Sequence, residues 1–180
     1  TVPESVTIRK RTPYEIIEIV DKVGLPCFVK PNNGGSSFGT NKVTKQEDLQ
    51  DAINEAFQED NEIIIESFIK GVEVTCGLIK TRKENLIFPA TEIVSKNEFF
   101  DFEAKYTVGM ADEITPARIP EDLHKKIQNL ASYIYDILDC KGLVRVDFII
   151  KGNQIYFLEL NTIPGMSHES IVPKQIRTHG

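Results

Sequence analysis

Residues 144–161 read Val-Arg-Val-Asp-Phe-Ile-Ile-Lys-Gly-Asn-Gln-Ile-Tyr-Phe-Leu-Glu-Leu-Asn, two strand-forming runs joined by a Gly-Asn turn signal. Polar side chains alternate with bulky apolar ones in both runs: Arg145, Asp147, Glu159 and Asn161. A solvated face is the usual reason for such alternation. However, Asp, Glu and Asn are also hard oxygen ligands, and arginine matches a phosphate or carboxylate group. The hairpin therefore indicates a site for magnesium and phosphate.

The register of this hairpin decides whether its two carboxylates share a face. A two-residue loop, Gly152-Asn153, pairs Asp147 with Leu158 and places Asp147 and Glu159 on opposite faces. A three-residue loop over residues 152–154 pairs Asp147 with Glu159 instead. The site therefore requires an odd loop or a compensating β-bulge.

Length and charge limit the kind of protein. The 180 residues suit one ordinary domain or two small lobes. The net charge of −6 argues against binding to nucleic acid or to an anionic membrane. No apolar run is long enough to cross a membrane, and the start does not resemble a signal peptide. Three well-separated cysteines, Cys27, Cys76 and Cys140, fit reduced, mostly buried thiols. We expect a cytoplasmic protein.

Helices and strands alternate along the chain. The capping boxes Thr12-Pro13-Tyr14-Glu15 and Thr44-Lys45-Gln46-Glu47 predict two helix starts, and a third helix is predicted over residues 120–138. Further strands are predicted at residues 27–31, 63–69, 72–79, 86–88 and 92–94. A break at Lys70-Gly71 predicts a boundary between two lobes. Residues 95–118 have no clear periodicity, and we interpret them as a lid loop.

Three motifs have both a functional and a structural interpretation. The glycine-serine loop at residues 34–39 follows a strand that carries Lys30, which suits a polyphosphate, but Thr40-Asn41 stand where a Walker loop needs Lys-Ser/Thr. Taken alone, such a loop is more often a simple turn. Glu66 and Glu73 suit an adenosine, yet isolated strand-end glutamates are more often only solvated.

His168 lies directly after Ser167 and two residues before Ser170, a combination that could belong to a hydrolase. No Gly-x-Ser-x-Gly motif is present, however. A surface or supporting histidine is the default interpretation.

Taken together, the motifs resemble the ATP-grasp superfamily and, more closely, the D-alanine:D-alanine ligase family. The matching segments occur in the family's order: residues 28–31, 34–39, 65–66 with 71–75, 102–106, and 145–148 with 158–166. The resemblance implies an α+β ATP-grasp fold, in which two α+β lobes with mainly antiparallel sheets enclose a nucleotide cleft. Residues 1–70 would form the central, smaller lobe. Residues 71–180 would form the C-terminal lobe, with the lid loop at 95–118 and a truncated end.

The same resemblance assigns roles to individual residues. ATP would be held by Lys30, Gly35, Ser36, Ser37, Glu66, Ser67, Ile69, Glu73 and Lys105. Two Mg²⁺ ions, or Mn²⁺ in their place, would be held by Asp147, Glu159 and Asn161. The catalytic set would be Arg145, Gly165, Ser36, Tyr106 and Ser170. In this set, Arg145 and the Gly165 amide stabilise an oxyanion, Ser170 helps Ile171 to seat the second amino acid, and Lys105-Tyr106 closes the lid.

The implied reaction joins two D-alanines through an acyl phosphate, for peptidoglycan precursor synthesis. In this family a tyrosine at the position of Tyr106 goes with D-alanine as the second substrate, whereas D-lactate ligases tend to carry histidine there. The family's N-terminal domain and a phosphate-binding lysine are absent from these residues, so we expect a fragment that binds nucleotide but is inactive alone. We expect a homodimer for the full-length enzyme. The alternatives are another ATP-grasp carboxylate-amine or D-alanine:D-lactate ligase, and a non-catalytic nucleotide-binding module.

Overall fold

The computed structural model describes residues 1–33, 38–95 and 111–180. The chain divides into two compact units. One consists of residues 2–69, and the other combines Thr1 with residues 70–95 and 111–180. Each unit contains its own antiparallel sheet and its own hydrophobic core. The assignment of residues 1–70 and 71–180 to the central and C-terminal ATP-grasp lobes stays a prediction.

The unit of residues 2–69 is a four-stranded sheet with helices on one face. Its strands are β1 (Ser5–Arg9), β2 (Cys27–Pro31), β3 (Asn41–Val43) and β4 (Glu62–Ser67), in the order β1-β4-β2-β3. Its helices are α1 (Ile16–Val23) and α2 (Leu49–Glu59). Alternate residues of β2 and β4, such as Val29 and Ile65, are fully buried in the core with Ile53 of α2. The intervening residues of these strands lie on the other face of the sheet.

Both predicted capping boxes are wrong. Helix α1 begins at Ile16, because the Thr12 amide donates to the Arg9 carbonyl and closes a turn after β1. Helix α2 begins at Leu49, because Gln46–Asp48 first form a 3-10 turn. Neither N-cap residue makes a side-chain hydrogen bond to its helix. The local sequence signal was therefore overridden by the turns that connect these helices to the sheet.

The second unit is a six-stranded sheet with two helices. Its strands are β5 (Val72–Lys80), β6 (Asn85–Ile87), β7 (Thr91–Ser95), β8 (Ala111–Ile114), β9 (Gly142–Lys151) and β10 (Gln154–Asn161). The order is β10-β9-β5-β7-β8, and β6 pairs with β5. The helices are α3 (Glu121–Ile137) and α4 (Ile171–His179). Ile127 and Ala131 of α3 share a buried core with Val144, Val146 and Phe148 of β9.

Three strands were not predicted: β1, β3 and β8. Strand β8 lies inside the stretch 95–118 that we interpreted as a loop, and residues 96–110 of that stretch lie outside the described residues. The sequence Ala-Asp-Glu-Ile of β8 shows no strand alternation; its conformation follows from antiparallel pairing with β7, from Glu92↔Ile114 to Ser95↔Ala111. Edge strands of this kind depend on their neighbour more than on their own sequence.

Candidate functional site

The β9-β10 hairpin places both carboxylates on one face. Its turn is the two-residue loop Gly152-Asn153, and Phe157 still pairs with Phe148 as a two-residue loop requires. The register then shifts, so that Asp147 pairs with Glu159. The shift is a β-bulge that accommodates the extra residue Leu158. The register that the sequence analysis required is thus confirmed, and a bulge rather than a three-residue loop provides it.

Four polar side chains meet on this face. Arg145 donates a two-pronged pair of hydrogen bonds to Asp147, from Nε to Oδ1 at 2.9 Å and from Nη2 to Oδ2 at 2.8 Å. The Asn161 amide nitrogen Nδ2 donates to Asp147 Oδ2 at 3.2 Å and to Glu159 Oε1 at 3.3 Å. The structure therefore brings together all three predicted metal ligands and the predicted catalytic arginine.

Arg145 is a permanent cation within this cluster. Burial lowers the pKa of its guanidinium, but the hydrogen bond to Asp147 and the charges of Asp147, Glu159 and Glu113 outweigh that effect, and the pKa lies above its usual value. Asp147 is 8% exposed, so its interaction with Arg145 is shielded from solvent more than a surface ion pair would be. The cluster thus combines the positive charge of Arg145 with a buried carboxylate, Asp147, and an exposed one, Glu159.

The carboxylate oxygens of this cluster, with the neighbouring Asn161 amide, suit a magnesium ion that is shared with a phosphate. Two carboxylates and one amide lie side by side, and Mg²⁺ is commonly bound by one or two carboxylates together with substrate phosphates and water. Within residues 1–33, 38–95 and 111–180, no group of three or more His, Cys, Asp or Glu side chains is arranged to hold a metal. The two carboxylates and the amide suit a metal ion whose remaining ligands are phosphate oxygens and water.

Two buried polar residues support Asp147, and sequence reasoning missed both. The Thr75 hydroxyl donates to Asp147 Oδ1. The fully buried Gln175 side chain of α4 binds the backbone of Thr75 and Gly77. Thr75 gives no sequence signal, since threonine is common in strands. Gln175 does give one: it lies three residues after the buried Val172, on the inner side of its helix.

The predicted residues Gly165 and Ser170 also lie close together. Ser170 is the N-cap residue of α4, and its hydroxyl lies 2.8 Å from the Ser167 hydroxyl. A Cβ at Gly165 would lie 2.9 Å from Ser170 Oγ, so only glycine fits that approach without displacing the hydroxyl. The exposed His168 bonds Glu169 at 2.7 Å through Nδ1. The exposure of the His168 side chain favours its surface interpretation.

In the unit of residues 2–69, the structure brings Lys30 and Glu66 together. Lys30 Nζ lies 2.5 Å from Glu66 Oε1, and both side chains are mostly buried, with 28% and 12% of their area exposed. Nearby, Lys42 Nζ lies 4.4 Å from the centre of the Phe68 ring, and the Phe28 ring meets Phe68 edge-on at 5.8 Å. This face therefore combines cations, a carboxylate and aromatic rings.

The other predicted nucleotide residues stand as follows. The Ser67 hydroxyl donates to the Glu4 carbonyl at 3.2 Å, and Ile69 is half-buried beyond the end of β4. Glu73 lies in β5 and pairs with Ile149 of β9. Five predicted site residues lie outside the described residues, and their roles stay predictions: Gly35, Ser36, Ser37, Lys105 and Tyr106.

Over the described ranges, helix length and hydropathy give no candidate for a membrane-crossing helix.

Comparison with known proteins identifies the family. Residues 4–180 match the family model described as D-ala D-ala ligase C-terminus. A D-alanine–D-alanine ligase of Phocaeicola vulgatus is 52% identical over 180 residues, which are 99% of this chain and 55% of that protein. A D-alanine–D-alanine ligase of Bacteroides fragilis is 51% identical, with the same coverage. The chain thus spans about half the length of the curated relatives that it matches.

Solved structures agree with the fold. VanG D-Ala:D-Ser ligase from Enterococcus faecalis superimposes with a TM-score of 0.87 at 38% identity, covering 98% of this chain and 52% of that chain. The D-alanine–D-alanine ligase from Bacillus anthracis complexed with ATP gives a TM-score of 0.81 at 28% identity, with 98% and 54% covered. The expected α+β ATP-grasp fold is confirmed. With a matching family model over nearly its whole length, this chain belongs to the D-alanine–D-alanine ligase C-terminal family.

Proposed function

We propose that the protein containing this chain uses ATP to join two D-alanine molecules into D-alanyl-D-alanine, a precursor for peptidoglycan, in the cytoplasm. The observation that carries this proposal is the face of the β9-β10 hairpin, where Arg145 lies beside the oxygen ligands Asp147, Glu159 and Asn161. An ATP-dependent ligase needs such a combination of metal ligands and a fixed cation. Relatives with about half of their residues identical bear the name of this enzyme.

The reaction has two steps. The carboxylate of the first D-alanine attacks the γ-phosphorus of ATP, and ADP leaves, so that D-alanyl phosphate forms. The amine of the second D-alanine then attacks the acyl carbon, the tetrahedral intermediate expels phosphate, and the attacking nitrogen loses a proton. The protein contributes by positioning the substrates and stabilising charge, and no covalent enzyme intermediate is involved.

Asp147, Glu159 and Asn161 would hold Mg²⁺ ions, which neutralise the phosphate oxygens when they are bound. Arg145 and the Gly165 amide would stabilise the developing oxyanion. Arginine has five N–H donors, and the bonds to Asp147 use only Nε and one N–H of Nη2. Arg145 therefore has N–H groups to offer a substrate oxygen while Asp147 keeps it in place.

The second amino acid would bind at the start of α4. The Ser170 hydroxyl lies at this helix N-terminus, where backbone amides favour a carboxylate. Lys105-Tyr106 would close over the site. A second candidate product is D-alanyl-D-serine, because the VanG D-Ala:D-Ser ligase resembles this chain at a TM-score of 0.87. The residue Tyr106, by family resemblance, favours D-alanine instead.

ATP would be held by the residues that the family resemblance assigns to it. Lys30 would bind its phosphates together with Gly35, Ser36, Ser37 and Lys105. Its adenine and ribose would be held by Glu66, Ser67, Ile69 and Glu73. The Lys30–Glu66 ion pair supports this proposal, since it holds the ammonium group in a partly desolvated position, where a phosphate would interact with it more strongly than in water.

Incubation of the full-length protein with ATP, Mg²⁺ and D-alanine tests the proposal. Phosphate release that depends on D-alanine, with D-alanyl-D-alanine identified by mass spectrometry, is expected. Parallel reactions that contain D-serine or D-lactate in addition identify the second substrate from the mass of the product. If the protein binds an ATP analogue but releases no phosphate from ATP, it would instead be a non-catalytic nucleotide-binding module.

The 180-residue chain alone is expected to bind nucleotide and to ligate little or not at all. Ligation by the isolated chain at the rate of the full-length protein would contradict this. Light scattering of the full-length protein tests the expected homodimer.

A further inference from the structure

The edge of strand β5 has a gap beside the metal-ligand face. Strand β7 pairs with β5 as far as Thr75↔Thr91, and strand β6 begins to pair only at Leu78↔Ile87. Between these points, the carbonyl of Thr75 and the amide of Gly77 would lack strand partners. The Gln175 carboxamide fills the gap: Oε1 accepts from the Gly77 amide at 2.9 Å, and Nε2 donates to the Thr75 carbonyl at 2.9 Å.

Gln175 is held rigidly in this position. Its side chain is fully buried, and Nε2 also donates to the Thr91 hydroxyl at 3.0 Å. The carboxamide thus has an acceptor bond and two donor bonds, and it imitates a backbone peptide group that bridges β7 and β6. Leaving the two backbone groups of β5 unpaired in the core would be costly. Gln175 therefore fixes the backbone conformation of β5 at Thr75.

Thr75 transmits this fixed position to Asp147. The two residues are paired across β5 and β9, and the Thr75 hydroxyl donates to Asp147 Oδ1. Thr75 is 2% exposed, so water does not compete for its hydroxyl. Arg145 donates to both oxygens of the same carboxylate, and Asn161 donates to Oδ2. Three donor residues from three strands thus set the orientation of one carboxylate.

We propose that Thr75 and Gln175 are positioning residues for the Asp147 carboxylate: Gln175 fixes the β5 backbone, and the Thr75 hydroxyl orients the oxygens of Asp147 towards the metal-phosphate complex. This inference rests on the proposed function, because it takes Asp147 as a metal ligand. Hydrogen bonds to a ligating carboxylate commonly change metal affinity, since they determine which lone pairs face the ion. Gln175 also joins helix α4, whose N-cap residue is Ser170, to the same strand.

Mn²⁺ binding to the full-length protein tests this inference without turnover. Electron paramagnetic resonance is used to titrate free Mn²⁺ in the presence of a saturating non-hydrolysable ATP analogue. Thr75→Val, which keeps the side-chain shape, is expected to weaken Mn²⁺ binding about 10-fold. Thr75→Ser restores the hydroxyl and is expected to restore the affinity. Gln175→Met, which keeps the volume but loses the three hydrogen bonds, is expected to weaken Mn²⁺ binding several-fold.

Two controls separate positioning from general damage. Thr178 lies on the same helix as Gln175, and its hydroxyl donates to the helix's own Lys174 carbonyl at 2.9 Å. The variant Thr178→Val should bind Mn²⁺ with the affinity of the unmodified protein. Affinity for the ATP analogue without metal should be unchanged in Thr75→Val. If Gln175→Met does not fold, Gln175→Glu takes its place, since it keeps the acceptor for the Gly77 amide and loses the donors.

The possible outcomes are distinct. Unchanged Mn²⁺ affinity in Thr75→Val, or failure of Thr75→Ser to restore it, overturns the role of Thr75. Unchanged affinity in the folded Gln175 variant overturns the role of Gln175. If the unmodified protein binds neither Mn²⁺ nor the ATP analogue, the proposed function itself fails, which is a different result from the failure of the variants.

Discussion

Gly77 and Gln175 are matched in shape as well as in hydrogen bonding. The Gly77 amide donates to Gln175 Oε1 at 2.9 Å, and a Cβ at residue 77 would lie 2.6 Å from that same oxygen. The side chain of Gln175 cannot easily swing away, because it is fully buried and bound at both ends of its carboxamide. The absence of a side chain at residue 77 is therefore a condition for closing the gap in β5.

Gly77→Ala should destabilise the protein by about 1–3 kcal/mol through overpacking. Urea unfolding measures the change. The double variant Gly77→Ala with Gln175→Ala should lose less stability than the sum of the two single variants, since the clash is then removed. If the stability losses of the two single variants simply add in the double variant, the contact with Gln175 is not the cause of the destabilisation by Gly77→Ala.

Asp147→Asn in the full-length protein should abolish D-alanine-dependent phosphate release. The amide keeps the shape but removes the negative charge that a metal ion needs, and it leaves Arg145 without its charged partner. The matched control is Asp136→Asn, which removes the same charge from an exposed carboxylate of helix α3 that pairs with Lys80 at 2.7 Å. Normal phosphate release by Asp147→Asn would reject the metal assignment.

The ion pair between Glu92 and Arg118 should stabilise the second unit in a pH-dependent way. Arg118 donates to both oxygens of Glu92, at 2.8 and 2.9 Å. This hydrogen bonding by Arg118 outweighs burial and lowers the pKa of the Glu92 carboxyl. A lowered pKa gives stability that is fully present above the unfolded-state pKa, roughly 4.3, and is lost as the pH falls through the folded-state value.

Arg118→Met should therefore reduce the free energy of unfolding at pH 7, because it leaves the mostly buried carboxylate of Glu92 without its charged donor. The difference from the unmodified protein should shrink as the pH falls below about 4. Urea unfolding at a series of pH values checks this. Arg82→Met, at an exposed turn, is the control for the change in net charge. A difference that does not vary with pH would contradict an ionic origin.

Two of the three thiols should be unreactive in the folded protein. Burial raises the pKa of Cys27 to about 11 and that of Cys76 to about 12, whereas Cys140 is only half-buried. Because the thiolate is the reactive species, iodoacetamide at pH 8 should label Cys140 before the other two. Peptide mass spectrometry identifies the labelled residue, and labelling in urea should reach all three. Rapid labelling of Cys76 in the native state would contradict its burial.

The sequence predicts those features of the site that depend on residues close together along the chain. Alternation alone put Arg145 with Asp147 and Glu159 with Asn161. The bulge at Leu158 was not predictable, since the turn signal Gly152-Asn153 is satisfied by a two-residue loop, and the shift arises only where the two strands pair. The capping boxes failed for a similar reason, because the sheet connections determine where the helices begin.

The contacts that residues distant in sequence make around Asp147 were also not predictable from the sequence. Gln175 lies 100 positions from Thr75, and its role exists only because β6 and β7 leave a gap on the same edge of β5. A buried glutamine on the inner side of a helix can be noticed in the sequence, but its partner cannot be named from it.

The bulge at Leu158 also restricts which insertions and deletions the hairpin can tolerate. Side chains alternate with a period of two, so the spacing between Asp147 and Glu159 can change by two residues without moving either carboxylate to the other face. A change of one residue must be accompanied by the loss of the bulge or by the gain of another. Natural relatives and engineered loops that keep the site should therefore obey an even-odd rule in hairpin length.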